Sequence, residues 1–227
     1  MPSRSALAEL LAIVAPPACL ACREPPGRAD ALLCAACLRA LPWLRGWRCP
    51  RCGLPRHKRG GCPAVGAAFD RAWAPMPYDG AARALVQALK FRAALPAAGV
   101  MAAQMAATLP LELCGGVVVP VPPQPARRRA RGFDPAGALA NQLAARLGLP
   151  PVALLIRYDR ATRQARADRT ARRAEGRIVV RATGAVSGPV LLVDDVHTTG
   201  ATLDACAKAL VAAGAARVAA VTYARTL

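Results

Sequence analysis

The stretch Gly188-Pro-Val-Leu-Leu-Val-Asp-Asp-Val-His-Thr-Thr-Gly-Ala-Thr202 decides how the chain is read. Its apolar run, Val190 to Val193, has the length of a strand buried in a parallel sheet. Two acids, Asp194 and Asp195, follow at the expected carboxyl end of that strand, and then a small, hydroxyl-rich loop, Thr198 to Thr202. Beyond the loop, Leu203, Cys206, Ala207, Leu210 and Val211 repeat at helical spacing. Strand, acidic pair, tight loop and helix start together make a place to hold a sugar phosphate. The free N–H groups and partial positive charge of a helix start favour phosphate. Gly200 allows close backbone approach and the threonines add donors. Ionised carboxylates only accept hydrogen bonds, which suits ribose hydroxyls or a magnesium-bound ligand. Simple helix capping needs one such residue, not two acids followed by four small or hydroxylated residues.

The segment Val190 to Thr202 resembles the motif of type I phosphoribosyltransferases that binds phosphoribosyl pyrophosphate (PRPP). The resemblance implies that Asp194 and Asp195 contact the ribose, and that Thr198, Thr199, Gly200, Ala201 and Thr202 hold the 5-phosphate. Purine-salvage members carry a further acid near the position of Thr198 as general base. Threonine stands there in this chain, a departure from nucleobase salvage.

With 227 residues the chain has room for one medium core and a small accessory domain. A net charge of +18 calls for a polyanionic partner, and only 4% aromatic residues leaves little capacity for base stacking. No apolar run reaches the roughly 20 residues of a membrane span. Leu7, Leu10, Leu11 and Val14 form a helical stripe interrupted by Glu9, unlike a signal sequence, so a cytoplasmic protein is expected. No P-loop sequence of the G-x-x-x-x-G-K-[ST] kind occurs.

Cysteines dominate the first 65 residues. Cys19-x-x-Cys22 and Cys34-x-x-Cys37 are two knuckles that make one complete tetrahedral zinc set. Cys49-x-x-Cys52-Gly53 is a third, with Cys62 after it. Disulfides need an oxidising compartment, so structural Zn2+ is the better expectation. Cys49, Cys52 and Cys62 supply only three ligands. His57 is the nearest fourth, though beside Arg56, Lys58 and Arg59 it reads as part of a solvated basic loop. A second zinc or a different pairing both remain open. Cys114 and Cys206 read as core residues.

A boundary near Val65 separates a Cys-rich domain, 1–65, from an α/β domain, 66–227. Phe69 to Trp73 reads as the first strand, Tyr78-Asp79-Gly80 as a turn into a helix that ends on Lys90-Phe91-Arg92, and 97–108 as a second helix. Val117 to Pro123 is a strand run stopped by prolines. The loop holding Arg127, Arg128, Arg129 and Arg131 follows it, then a helix from Ala136 to Leu147. Arginine forks grip phosphate oxygens, so this loop is a second anion-binding candidate, and the resemblance to phosphoribosyltransferases implies that Arg127, Arg128 and Arg131 bind pyrophosphate. From Arg157 to Arg172 an arginine stands at every third position, a spacing that wraps a helix and points instead to a basic loop. Arg217 to Tyr223 is the last strand. The expected fold is a doubly wound, parallel type I phosphoribosyltransferase-like sheet preceded by a small zinc-ribbon-like domain.

The order of cysteine knuckles, Phe69-Asp70-Arg71, Tyr78-Asp79-Gly80, Lys90-Phe91, the Pro-Val-Pro run with Arg131-Gly132-Phe133, Thr162/Gln164/Arg172 and Asp194 to Thr202 resembles the ComF family over nearly the whole chain. That resemblance implies a competence protein: an accessory factor in natural transformation, working with an ATP-driven DNA-uptake helicase on single-stranded DNA. Two departures stand out. Arg59 replaces a cysteine of a fourth knuckle, and the arginine-rich segment lacks the family's usual Asn. Two functions compete. One is a transferase binding PRPP with Mg2+, in which His197 could move a proton but reads as loop filler. The other is a non-catalytic, single-stranded DNA-binding zinc protein that retains the phosphoribosyl site only as a sensor.

Overall fold

A computed structural model describes residues 17–28, 30–57, 61–158 and 178–227. The expected amino-terminal helix and the arginine-rich segment beyond Tyr158 lie outside those residues.

The apolar runs form a parallel sheet as their composition dictates. β1 (Arg71–Trp73), β2 (Met76–Pro77), β3 (Val117–Pro120), β6 (Pro189–His197) and β7 (Arg217–Arg225) make it up. The order is β1-β7-β6-β3, and β2 continues on β7 beyond β1. Every pairing in this sheet is parallel. Side chains alternate between two buried faces. Leu191, Val193, Val221 and Tyr223 point into one core, and Val190, Leu192, Val218 and Ala220 into the other.

Helices α2 (Gly80–Arg92), α3 (Pro96–Ala106) and α5 (Pro135–Leu147) supply the first core. Asp79 starts α2 with a side-chain oxygen that accepts from Gly80 N at 2.8 Å. Tyr223 is fully buried there, and its hydroxyl donates to Gln104 Oε1 at 2.6 Å, so the phenol is not left unpaired. The second core is closed by α6 (Ala201–Ala212) and by the Cys49–Cys52 knuckle. The first knuckle joins the opposite core through Cys19 and Leu33. Only one further helix precedes the sheet among the described residues: α1 (Ala35–Arg39), which is capped by Cys34. No described helix is long and apolar enough to cross a membrane.

Three expectations need correction. β6 does not stop at Val193. Its ladder with β7 runs on through Asp194↔Thr222, Val196↔Ala224 and His197↔Arg225, because backbone pairing is indifferent to the polarity of the side chains. The arginine loop after β3 is a helix, α4 (Pro125–Arg131), begun by Pro125 and ended by left-handed Gly132. Arg157 sits on a strand, β4 (Leu155–Tyr158), antiparallel to β5 (Val179–Ala182) in a separate two-stranded ribbon. Cys206 is fully buried as expected, whereas Cys114 is only partly so.

Candidate functional site

Asp194 and Asp195 lie where β6 leaves the apolar core, and alternation sends them to opposite sides of the strand. Asp195 is 5% exposed and pairs with Lys90, Nζ to Oδ1, at 2.7 Å. The sequence offered Lys90 as a cation closing α2. Its position four residues after Val86, on the helix's buried stripe, was the signal that it points inward. Asp194 Oδ1 accepts from Asp195 N at 2.8 Å. Desolvation, reinforced by the neighbouring Asp195 charge, pushes Asp194 up to about 8, against the pull of Lys90.

A cavity of about 280 Å³ opens over this pair. Lys90, Arg127, Arg131, Asp194, Asp195, Thr198 and Thr202 all line it. Three segments distant in sequence thus bring cations, carboxylates and hydroxyls to one end of the parallel sheet, where such folds bind ligands. Arg157 and Asp134 line it too, and neither was read as part of the site. Asp134 precedes α5. Burial raises its carboxyl, and its Oδ1 has no partner among the described residues. Arg128 is exposed and does not line the cavity, but its charge reaches Asp134. Arg131 stands 5.1 Å from the centre of the Phe91 ring, a cation–π contact.

The loop divides two spaces. Thr198 lines both, Thr202 faces the acidic cavity, and Thr199, Gly200 and Ala201 line a groove of about 980 Å³ on the other side. Gly200 is left-handed at φ 81, and a Cβ there would lie 2.9 Å from His197 Nε2. His197 is not part of the loop. It is the last residue of β6, 6% exposed, and its ring meets Phe69 edge-on at 6.3 Å. Burial, then Arg225, pull it down to about 4, so it is neutral at physiological pH. The imidazole lies beneath the loop, on the floor of the groove that Thr198, Thr199, Gly200 and Ala201 line.

The far wall of the groove is the second cysteine cluster. Cys49, Cys52, His57 and Cys62 bring their ligand atoms within 4.8 Å of one another, as do Cys19, Cys22, Cys34 and Cys37. Tetrahedral zinc with thiolates at about 2.3 Å separates its sulfurs by about 3.8 Å. Cys22 and Cys34 are 3.7 Å apart, and Cys49 and Cys62 3.9 Å. His57, read as part of a solvated loop, places Nε2 3.2 Å from Cys52 Sγ and completes the second set. The missing signal was the spacing Cys52-x4-His57, obscured by the flanking arginines and lysine.

The donors are prepared for a cation. Burial opposes ionisation of Cys19, yet the backbone N–H groups of Cys22, Cys34 and Ala21 draw it down to about 6. Cys49 is likewise brought to about 6, against burial, by the N–H groups of Cys52 and Arg51. Their partners go the other way. Cys37 is pushed up to about 12, chiefly by its hydrogen bond with Cys22, and Cys52 to about 11 by burial. Thiols this close cannot all ionise without a metal. Both groups have the chemistry of structural zinc sites.

Comparison with known families agrees on this part of the chain. Residues 10–66 match the double zinc ribbon domain. No curated protein matches the sequence.

Proposed function

We propose that this zinc-ribbon α/β protein is phosphoribosyltransferase-like and binds PRPP through the Asp194–Thr202 segment. One observation carries the reading: Asp194, Asp195, Thr198 and Thr202 share a cavity with Arg127 and Arg131 at the carboxyl end of a parallel sheet. The carboxylates would accept from ribose hydroxyls, the start of α6 would take the 5-phosphate, and the guanidinium groups the pyrophosphate. Lys90 pairs with Asp195 at 2.7 Å and orients it.

Mg2+ would enter with its ligand. Among the described residues, no three carboxylates bring their oxygens close enough to form a cage. Magnesium typically takes one or two carboxylates and completes its shell with phosphate oxygens and water, a demand that Asp194 can meet. When bound, it would neutralise charge on the leaving pyrophosphate.

In keeping with its ComF-like sequence order, we place the protein in the cytoplasm as an accessory factor in DNA uptake, with single-stranded DNA and a DNA-uptake helicase as partners. The charge of +18 and the exposed Arg127, Arg128 and Arg129 of α4 favour a polyanion. Calorimetric titration of the zinc-loaded protein with PRPP, with and without Mg2+, tests the site. Magnesium-dependent binding that Asp195→Asn abolishes supports it. Absence of binding leaves the second reading, a single-stranded DNA-binding zinc protein whose phosphoribosyl site is vestigial.

A further inference from the structure

Arg225 is the one buried arginine among the described residues. It ends β7, only 3% exposed, and among the described residues no carboxylate pairs with it. Its Nε has no partner among the described residues, while its Nη1 donates to the carbonyl of Cys52. A buried guanidinium without a counter-charge is strongly disfavoured. The group placed to answer it is the cluster of Cys49, Cys52, His57 and Cys62, since Nη1 reaches the carbonyl of Cys52 itself.

The backbone between the two is packed tight. Gly53, left-handed at φ 71, leaves a Cβ position only 3.3 Å from Arg225 Nη1 and 2.5 Å from Ala72 O. No side chain fits between the knuckle and the arginine. Zinc(II) held by three thiolates and a neutral imidazole carries one net negative charge, inside a core that includes Cys49, Cys52 and Leu192. One buried guanidinium balances it.

We propose that Arg225 is the counter-charge of the second zinc site, and that it couples that site to the strand end bearing the Thr198–Thr202 loop. The coupling runs through the backbone. His197 and Arg225 pair across β6 and β7, Thr226 N donates to His197 O at 3.0 Å, and Tyr78 N donates to Arg225 O at 2.6 Å. Arg225 thus ties the knuckle carbonyl to the β6 terminus from which the loop springs. The first cluster packs on the opposite core. Arg225 is a positioning residue, and the proposal holds whatever ligand the acidic cavity takes.

The test uses the full chain loaded with zinc. Arg225→Met keeps the side chain's length and removes its charge; Arg225→Lys restores the charge. Competition against a chromogenic chelator reads the affinity of each zinc separately. Removing an outer-shell partner typically lowers metal affinity roughly 10- to 100-fold. That loss is expected in Arg225→Met for one of two zinc ions, with most of it recovered in Arg225→Lys. Unchanged affinity in Arg225→Met overturns the proposal, as does a folded Arg225→Lys that is equally impaired. If Arg225→Met does not fold, Cys62→Ser in the natural background supplies the second arm. Hydrogen exchange should then quicken at 197–202 and at 224–227 as well as at the knuckle. Quickening confined to 49–57 overturns the coupling.

Discussion

Replacing Asp194 by Asn should make the protein more stable, and increasingly so as the pH rises. The carboxyl group sits at about 8, roughly four units above its ordinary value, because burial and the Asp195 charge both oppose ionisation. A raised acid pKa means that the folded state holds the proton more tightly than the unfolded chain. Stability from this residue is therefore intact below about pH 4 and declines as pH climbs to about 8, after which it is level. Each unit is worth about 1.4 kcal/mol, giving a ceiling of roughly 5–6 kcal/mol for the full window. Asp194 is only half-buried, at the wall of an open cavity, and solvent there screens the charge. We discount the penalty to about 2–3 kcal/mol at pH 8.5 and about half of that at pH 6. Asn keeps the shape and an oxygen for Asp195 N, so no compensating loss is expected. For a chain of this size the gain corresponds to roughly 4–10 °C in Tm at pH 8.5. Thermal melts of the two proteins at pH 6 and 8.5, both in excess zinc, measure it. An Asn variant no more stable at pH 8.5, or a difference that ignores pH, refutes the argument. A gain in stability paired with lost PRPP binding is the signature of a strained functional group.

Other outcomes follow from single contacts. Gly200→Ala forces a Cβ into a left-handed residue 2.9 Å from His197 Nε2, and should cost about 1–2 kcal/mol, read as a lower Tm. His57→Ala should leave one tightly held zinc per chain instead of two by metal analysis after mild chelation, since three thiolates are an open set. Lys90→Met removes the partner of a buried carboxylate at 2.7 Å and should destabilise the fold by about 2–4 kcal/mol in urea melts at pH 8. Affinity for a homopolymeric single-stranded DNA should fall steeply between about 50 and 200 mM salt, and flat dependence in a filter-binding series would count against a phosphate-tracking surface.

What could be read in the sequence was what local pattern encodes. Val190 to Val193 had to be a buried strand, the spacing from Leu203 to Val211 a helix, and Cys19, Cys22, Cys34 and Cys37 a metal set, because each signal lies within a few residues of itself. The extent of β6 was misjudged for a related reason. Polarity reports where side chains go, while the ladder from Asp194 to His197 is set by β7, 28 residues on. The β4–β5 ribbon is not legible locally because twenty residues stand between its strands, among them most of the arginine repeat, whose spacing points to a loop.

The harder failures are all cases of one charged or polar side chain finding a distant partner. Lys90 looked like a helix-closing cation, a role any surface lysine can fill, yet it sits on the same face as Ala82 and Val86, which are buried. A cation on a buried stripe must find an anion, and the only paired acids downstream were Asp194 and Asp195. His57 was hidden by its neighbours' charge. His197 was placed in the loop because it precedes two threonines, when its register with Arg225 sends it under the loop instead. In each case the sequence names the residue and the fold supplies the partner. The same logic isolates Arg225, whose sequence context, Tyr223-Ala-Arg225-Thr, has no acid in reach. A charge that neither its own strand nor any described carboxylate neutralises must be answered by something else in the core, and the thiolates of the second ribbon are the groups placed to answer it.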